Sequence, residues 1–164
     1  MTAKLHIANL LSNLLPQTRA FGLRRALFRG AGVDLSPDVR LNGGVVIQHQ
    51  NVRVGAGTWV GRRTELVATS DAGIVIGSNC DVSQDVLFIT GSHAIGDSGK
   101  RAGAGKSLPI LVGDGAWIGA RVTMLGGSAV GRGVVVAAGS LVRDVFPDDV
   151  LIAGAPARII RHLD

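Results

Sequence analysis

Of the four histidines and one cysteine in this 164-residue chain, one histidine stands where chemistry would need it. His93 closes the stretch Thr90-Gly91-Ser92-His93, just before a run rich in glycine, serine and lysine. An imidazole titrates near neutrality, so a histidine at the mouth of such an insertion suits a general base that takes a proton from a hydroxyl. The bland alternative is an ordinary histidine at a structural edge. His49 reads as structural, and His6 and His162 as terminal or solvated. A carboxylate often holds the other ring nitrogen of such a base, and Asp97, Asp71, Asp85 and Glu65 are the candidates. Cys80 alone offers neither a disulfide nor a thiolate cluster, which fits a reducing compartment, and no metal is expected.

The elements that must hold His93 follow from a six-residue period running from Val54 onward. Its leading positions are Val54, Val60, Leu66, Ile76, Val82, Phe88, Val112, Ile118, Met124, Val130, Val136 and Val142, all apolar. With 46% of residues apolar, twelve in succession would arise by chance about once in ten thousand trials. The last block, Val112 to Pro147, has no gap; four extra residues near Asp71 to Ile74 and a loop at about 94–108 interrupt the earlier ones. The fifth position is small or β-branched, from Thr58 and Thr64 through Cys80 and Ser92 to Ser128 and Ser140, with Phe146 as the exception. Glycine recurs at the second position, as at Gly55, Gly61 and Gly119, where a corner needs close backbone approach or a positive φ. A short strand and a turn every six residues let three strands close a triangular coil of about eighteen residues. The predicted fold is therefore all-β, a parallel β-helix whose coils stack about 4.8 Å apart, with an N-terminal helical segment.

Residues 3 to 29 carry helix spacing. Ile7, Leu10, Leu11, Leu14 and Leu15 share one face, Leu23 and Leu27 follow Pro16 on a second segment, and Gly30 and Gly32 stop it. Arg19, Arg24, Arg25 and Arg29 give that second segment a solvated basic face, which leaves room for peripheral contact with an anionic membrane. The chain thus divides into a helical cap at 1–32, a β-helix at 33–147 with its external loop at about 94–108, and a C-terminal strand or tail at 148–164. The net charge of +5 asks for an anionic partner. Few aromatics and no nucleic-acid motif argue against nucleic acid and for a phosphate-bearing small ligand. No apolar run approaches the ~20 residues of a membrane span. The first fifteen residues read as folded protein rather than a secretory signal, and the expected location is the cytoplasm. The stretch Gly99 to Ser107 looks like a phosphate-binding P-loop, but Lys100 stands where its first glycine is required. It reads instead as a mobile basic lid.

The hexads lead into Trp-Ile-Gly-Ala-Arg-Val at 117–122, Ala-Ala-Gly-Ser-Leu-Val at 137–142 and Ala-Gly-Ala-Pro-Ala-Arg at 153–158. Over roughly residues 54 to 161 the chain resembles the left-handed β-helix acyltransferases. Maltose and galactoside acetyltransferases and the acetyltransferases of surface-polysaccharide clusters are the nearest groups. The resemblance implies a left-handed coil, against the usual right-handed rule for parallel crossovers. It also implies a homotrimer with active sites between subunits, acetyl-CoA as acyl donor and a sugar-type acceptor. The implied reaction is O-acetylation of a sugar hydroxyl in surface-polysaccharide or lipopolysaccharide biosynthesis, with His93 as general base. An amine, serine or antibiotic acceptor is the nearest alternative, and a non-catalytic β-helix scaffold is one of another class. The pantetheine arm is assigned to a groove with backbone contacts near Ala120, Ala138 and Gly139. Arg143, Arg158 and Arg161 are assigned to the phosphates, which Lys100, Arg101 and Lys106 could also reach, and Trp117 to a wall beside His93. Amides near Gly119 or Ala120 are the candidate oxyanion donors. The family's acceptor-side asparagine has no match; Arg62 and Arg63 occupy that region. Zinc carbonic anhydrases share the coil, but they need three histidines, and His93 has no second or third partner in view.

Overall fold

Each hexad folds as a two- or three-residue strand followed by a tight corner, because its leading side chain turns inward and its next residues turn the chain. The structure, a computed structural model, describes residues 2–164, so Met1 at the start of the expected cap lies outside it. The first coil is β1 (Asp34–Leu35), β2 (Arg40–Leu41) and β3 (Val46–Ile47), and the second is β4 (Val52–Val54), β5 (Trp59–Val60) and β6 (Glu65–Val67). The third, β7 (Ile74–Ile76), β8 (Asp81–Val82) and β9 (Leu87–Ile89), leads into an arm of β10 (Gly91–Ile95) and β11 (Ala102–Ser107). The fourth follows as β12 (Ile110–Val112), β13 (Trp117–Ile118) and β14 (Thr123–Leu125), and the fifth as β15 (Ala129–Val130), β16 (Val135–Val136) and β17 (Leu141–Val142). A last, partial coil is β18 (Val145–Phe146) and β19 (Val150–Gly154), and β20 (Ala157–His162) folds back antiparallel on β19.

Strands three apart pair in parallel and build three faces. On the first face Leu35, Val54, Ile76, Val112, Val130 and Phe146 stand in register, and on the second Leu41, Val60, Val82, Ile118, Val136 and Ile152. The third carries Ile47, Leu66, Phe88, Met124 and Val142. All are buried, so the core is one continuous aliphatic ladder. Two departures from the expected period have a simple cause. The ladder begins a coil before Val54, hidden because seven residues rather than six separate Ile47 from Val54. Phe146, expected at a fifth position, is a leading residue: the preceding hexad is cut short, which explains why it alone broke the small-residue rule.

At the corners the two roles expected of one glycine are split between two positions. The second position is a close approach: a Cβ on Gly119 would stand 2.6 Å from the Ala138 amide nitrogen. The positive φ falls at the fourth position, on Gly139 but also on Arg63, Asn79, Asp85 and Arg121. The fifth-position Thr58, Thr64, Cys80, Ser128 and Ser140 are buried in the turn.

The helices α1 (Ala3–Leu14) and α2 (Phe21–Gly30) close the open end of the stack. The face on which Ile7, Leu10, Leu11 and Leu14 line up is not the one that packs on the coil. The buried face of α1 is Leu5, Ala8, Asn9 and Ser12, while Ile7, Leu10, Leu11 and Leu14 are exposed. The reason is the free edge of β3, whose backbone groups need partners. Asn9 supplies them: its Nδ2 donates to the Ile47 carbonyl at 2.8 Å and its Oδ1 accepts from the Ile47 amide at 3.1 Å. Arg24 likewise leaves the expected solvated face. It is fully buried, with Nε donating to Ser12 Oγ at 3.0 Å and Nη1 to the Leu41 carbonyl at 2.9 Å, which clamps both helices to the first coil.

Candidate active site

His93 lies on β10, where the chain leaves the third face as an antiparallel arm instead of turning into a new coil. The expected mobile lid is this arm, paired from Gly91 with Ser107 to Ile95 with Ala102. Its alternating small residues permit the pairing, and Asp97 turns its tip by accepting from the Gly99 and Lys100 amides at 2.9 and 3.2 Å. The His93 side chain is exposed and borders an open cleft of about 670 Å³ lined by Thr69, Asp71, Ser92 and Lys106. Its Nδ1 lies 3.0 Å from the Gly103 carbonyl. A carbonyl only accepts, so Nδ1 carries the proton and Nε2 is left as the ring's acceptor. The ring is therefore oriented by a backbone oxygen across the arm and by none of the four expected carboxylates. Asp85 instead pairs with Arg63 at 2.6 and 2.7 Å, and that guanidinium holds its carboxyl below the usual range.

Trp117 is elsewhere. It lies on β13 of the second face, in a cleft of about 580 Å³ shared with Trp59, Asp81, Ser83, Gln84 and Ala120. The expectation that it walls the site beside His93 fails within one chain, because the arm departs from the end of the third face. Trp59, which sequence reasoning passed over, is fixed there by Phe21 of α2, with ring centroids 5.4 Å apart. Its register pairing with Asp81, and that of Asp81 with Trp117, follow from the hexad spacing and could have been read from it.

The corner beside this cleft explains why Ala120 and Ala138 belong together. They occupy the third hexad position of successive coils, and the Gly139 amide donates to the Ala120 carbonyl at 2.8 Å. The Ala120 and Ala138 amides have no partner among the described residues. Above Gly139 nothing lies within 4 Å of where a Cβ would stand. Of the two candidate oxyanion donors, the Gly119 amide is spent on the Val136 carbonyl at 2.8 Å, so only that of Ala120 is open.

The arginines do not converge on this corner. Arg143 stands at the base of the arm with Ser92 and Lys106, around a smaller cavity of about 180 Å³. Its Nε is 3.9 Å from Asp144, and Arg158 Nη1 is 3.3 Å from the same carboxylate. Arg161, exposed on β20, makes no ion pair among the described residues. Cys80 is buried beneath a corner, and burial pushes its thiol up, away from the reactive thiolate form.

A stacked hexad coil with an interrupting arm and an open amide corner defines a class, and comparison with known proteins gives the same one. The family model for the bacterial transferase hexapeptide (six repeats) matches residues 109–144. Galactoside O-acetyltransferase of Escherichia coli is 29% identical over 114 residues, covering 70% of this chain and 55% of that protein. Serine acetyltransferase 2 of Arabidopsis thaliana is 31% identical over 145 residues, 88% of this chain and 37% of that protein. A hexapeptide-repeat acetyltransferase of Vibrio cholerae, solved with acetyl coenzyme A, superposes with a TM-score of 0.77 at 27% identity, over 99% of this chain and 86% of that one. The coil is a left-handed β-helix, and the chain shares its repeat and its fold with the hexapeptide-repeat acetyltransferases it resembles. It spans about half the length, or less, of the curated relatives it matches.

Proposed function

We propose that this chain is an acetyl-CoA-dependent O-acetyltransferase acting on a sugar hydroxyl, with His93 as general base. The observation that carries this reading is the Nδ1 hydrogen bond to Gly103, which leaves a basic Nε2 at the edge of an open cleft. Nε2 takes the hydroxyl proton as the acceptor oxygen attacks the thioester carbonyl. The Ala120 amide donates to the oxyanion that forms, and collapse breaks the carbon–sulfur bond. The imidazolium returns its proton to the departing thiolate, giving an acetyl ester and free coenzyme A. Pantetheine lies along the open corner of Ala120, Ala138 and Gly139, and its phosphates are met by Arg143, Arg158 and Arg161, two of which first give up Asp144.

In one chain the His93 cleft and the Trp117–Ala120 cleft are separate cavities. A neighbouring copy in a homotrimer would bring the arm of one subunit against the open corner of the next, so the working site is a shared one. The likeness to a galactoside O-acetyltransferase supports a sugar acceptor, and the openness of the His93 cleft suits the end of a growing surface polysaccharide. A serine acceptor is the second reading, favoured by the likeness to a serine acetyltransferase over most of this chain. Incubation with acetyl-CoA and a panel of sugars, amines and serine, followed by assay of free thiol, separates these. Sugar-dependent release is expected; release with serine alone selects the second reading, and none under any condition leaves a scaffold.

A further inference from the structure

The outer side of the helical cap has no role in the chemistry above, yet it gathers exposed aliphatic side chains and an unbalanced positive charge. Ile7, Leu10, Leu11 and Leu14 are 54, 54, 43 and 81% exposed. Their spacing of three and four puts them on one stripe of α1, which Lys4 continues toward the N-terminus. Leu23 of the neighbouring α2 is 54% exposed as well. Five of the 17 Lys and Arg residues, and none of the 12 Asp and Glu, fall at or before residue 33. The twelve cations of the remaining chain are matched by twelve carboxylates, so the whole net charge of the protein comes from its cap. Lys4, Arg19 and Arg29 are exposed, and none of them makes an ion pair among the described residues.

We infer that this face docks on an anionic lipid bilayer. An exposed aliphatic stripe on a cap whose exposed cations lack ion pairs is the composition of a surface that lies in the headgroup boundary, with its leucines in the acyl region and its cations at the phosphates. The charge argues against the obvious rival, a second copy of the same cap. Two such faces would bring like charges together with no carboxylate on either to offset them. The same orientation of α1 that spends Asn9 on the edge of β3 turns the leucines outward, so the surface is a consequence of how the coil is capped. The docking is independent of the reaction at His93, and it would hold the catalytic coil close to an acceptor at a membrane surface.

Co-sedimentation of the full chain with vesicles tests it, using phosphatidylcholine alone and phosphatidylcholine mixed with phosphatidylglycerol. Binding is expected to the mixed vesicles only, and to weaken as salt is raised. Arg19→Gln with Arg29→Gln should weaken it by about tenfold or more. Leu10→Glu with Leu14→Glu should abolish it, with circular dichroism and thiol release from acetyl-CoA in solution unchanged. Equal binding to both vesicle types, no binding to either, or full binding by the glutamate variant would overturn the inference. So would a change of molecular mass in light scattering on Leu14→Glu, since the stripe would then be a contact between subunits.

Discussion

Two stacks of corners in the same coil, built on one backbone pattern, differ in what they do with the amide at the third hexad position. Between the first and second faces two of these amides are sealed. The Ser78 amide donates to Asp114 Oδ1 at 2.7 Å, and the Arg132 amide to Asp148 Oδ1 at 2.8 Å, each aspartate coming from the next coil. Between the second and third faces Ala120 and Ala138 stand at the equivalent positions, and their amides are open. Where such a corner leaves an outward donor, the third-position side chain of the following coil can cap it, as Asp114 and Asp148 do, or leave it free for a ligand, as Ala138 does for Ala120.

The largest effect separates the acyl donor's corner from the base. His93→Ala should lower kcat by about 10² to 10⁴ while acetyl-CoA binding, measured by calorimetry, is unchanged. Converting the open stack into the sealed one should come next. In Ala138→Asp the new carboxylate caps the Ala120 amide as Asp114 caps Ser78, and KM for acetyl-CoA should rise about tenfold or more with the fold intact. A KM that stays put would break the comparison. The reverse change, Asp114→Ala, uncaps Ser78 and should cost about 1 kcal/mol in a thermal or denaturant melt, with kcat/KM untouched. The smallest effect concerns pH. Arg63 holds the Asp85 carboxyl below its usual range, so the pair's contribution is present above the ordinary carboxylate value and is lost as pH falls through the depressed one. Asp85→Asn should flatten that acid limb of the Tm profile, and only slightly, since Arg63 is largely solvated and Asp85 is partly exposed.

The ladder was legible in the sequence because every leading position is apolar and each register error would bury a polar residue. What escaped was local. A seven-residue step at Ile47 to Val54 concealed the first coil, and a shortened hexad disguised Phe146 as a corner residue. The buried face of α1 was not legible because it is not the longest apolar stripe: Leu5 and Ala8 enter the core beside Asn9, which meets the unpaired backbone of β3, and Ser12, which meets Arg24. At the site, the position of His93 at a break in the period could be read directly. Its partner could not, since Gly103 acts through a main-chain oxygen that any residue carries. The separation of Trp117 from His93 was hidden too, because sequence distance does not say on which face an arm departs.

The central claim is that the base on one chain's arm works on a donor held at another chain's open corner. Co-expression of His93→Ala and Ala138→Asp chains under two affinity tags, with purification through both, tests it directly. Assayed with acetyl-CoA well below its KM, each variant alone should keep about a tenth of wild-type activity or less, and the mixed trimer should recover about a third, because one of its three sites then joins an intact arm to an intact corner. Mixed assemblies as inactive as either parent would contradict a shared site and put base and donor on the same chain.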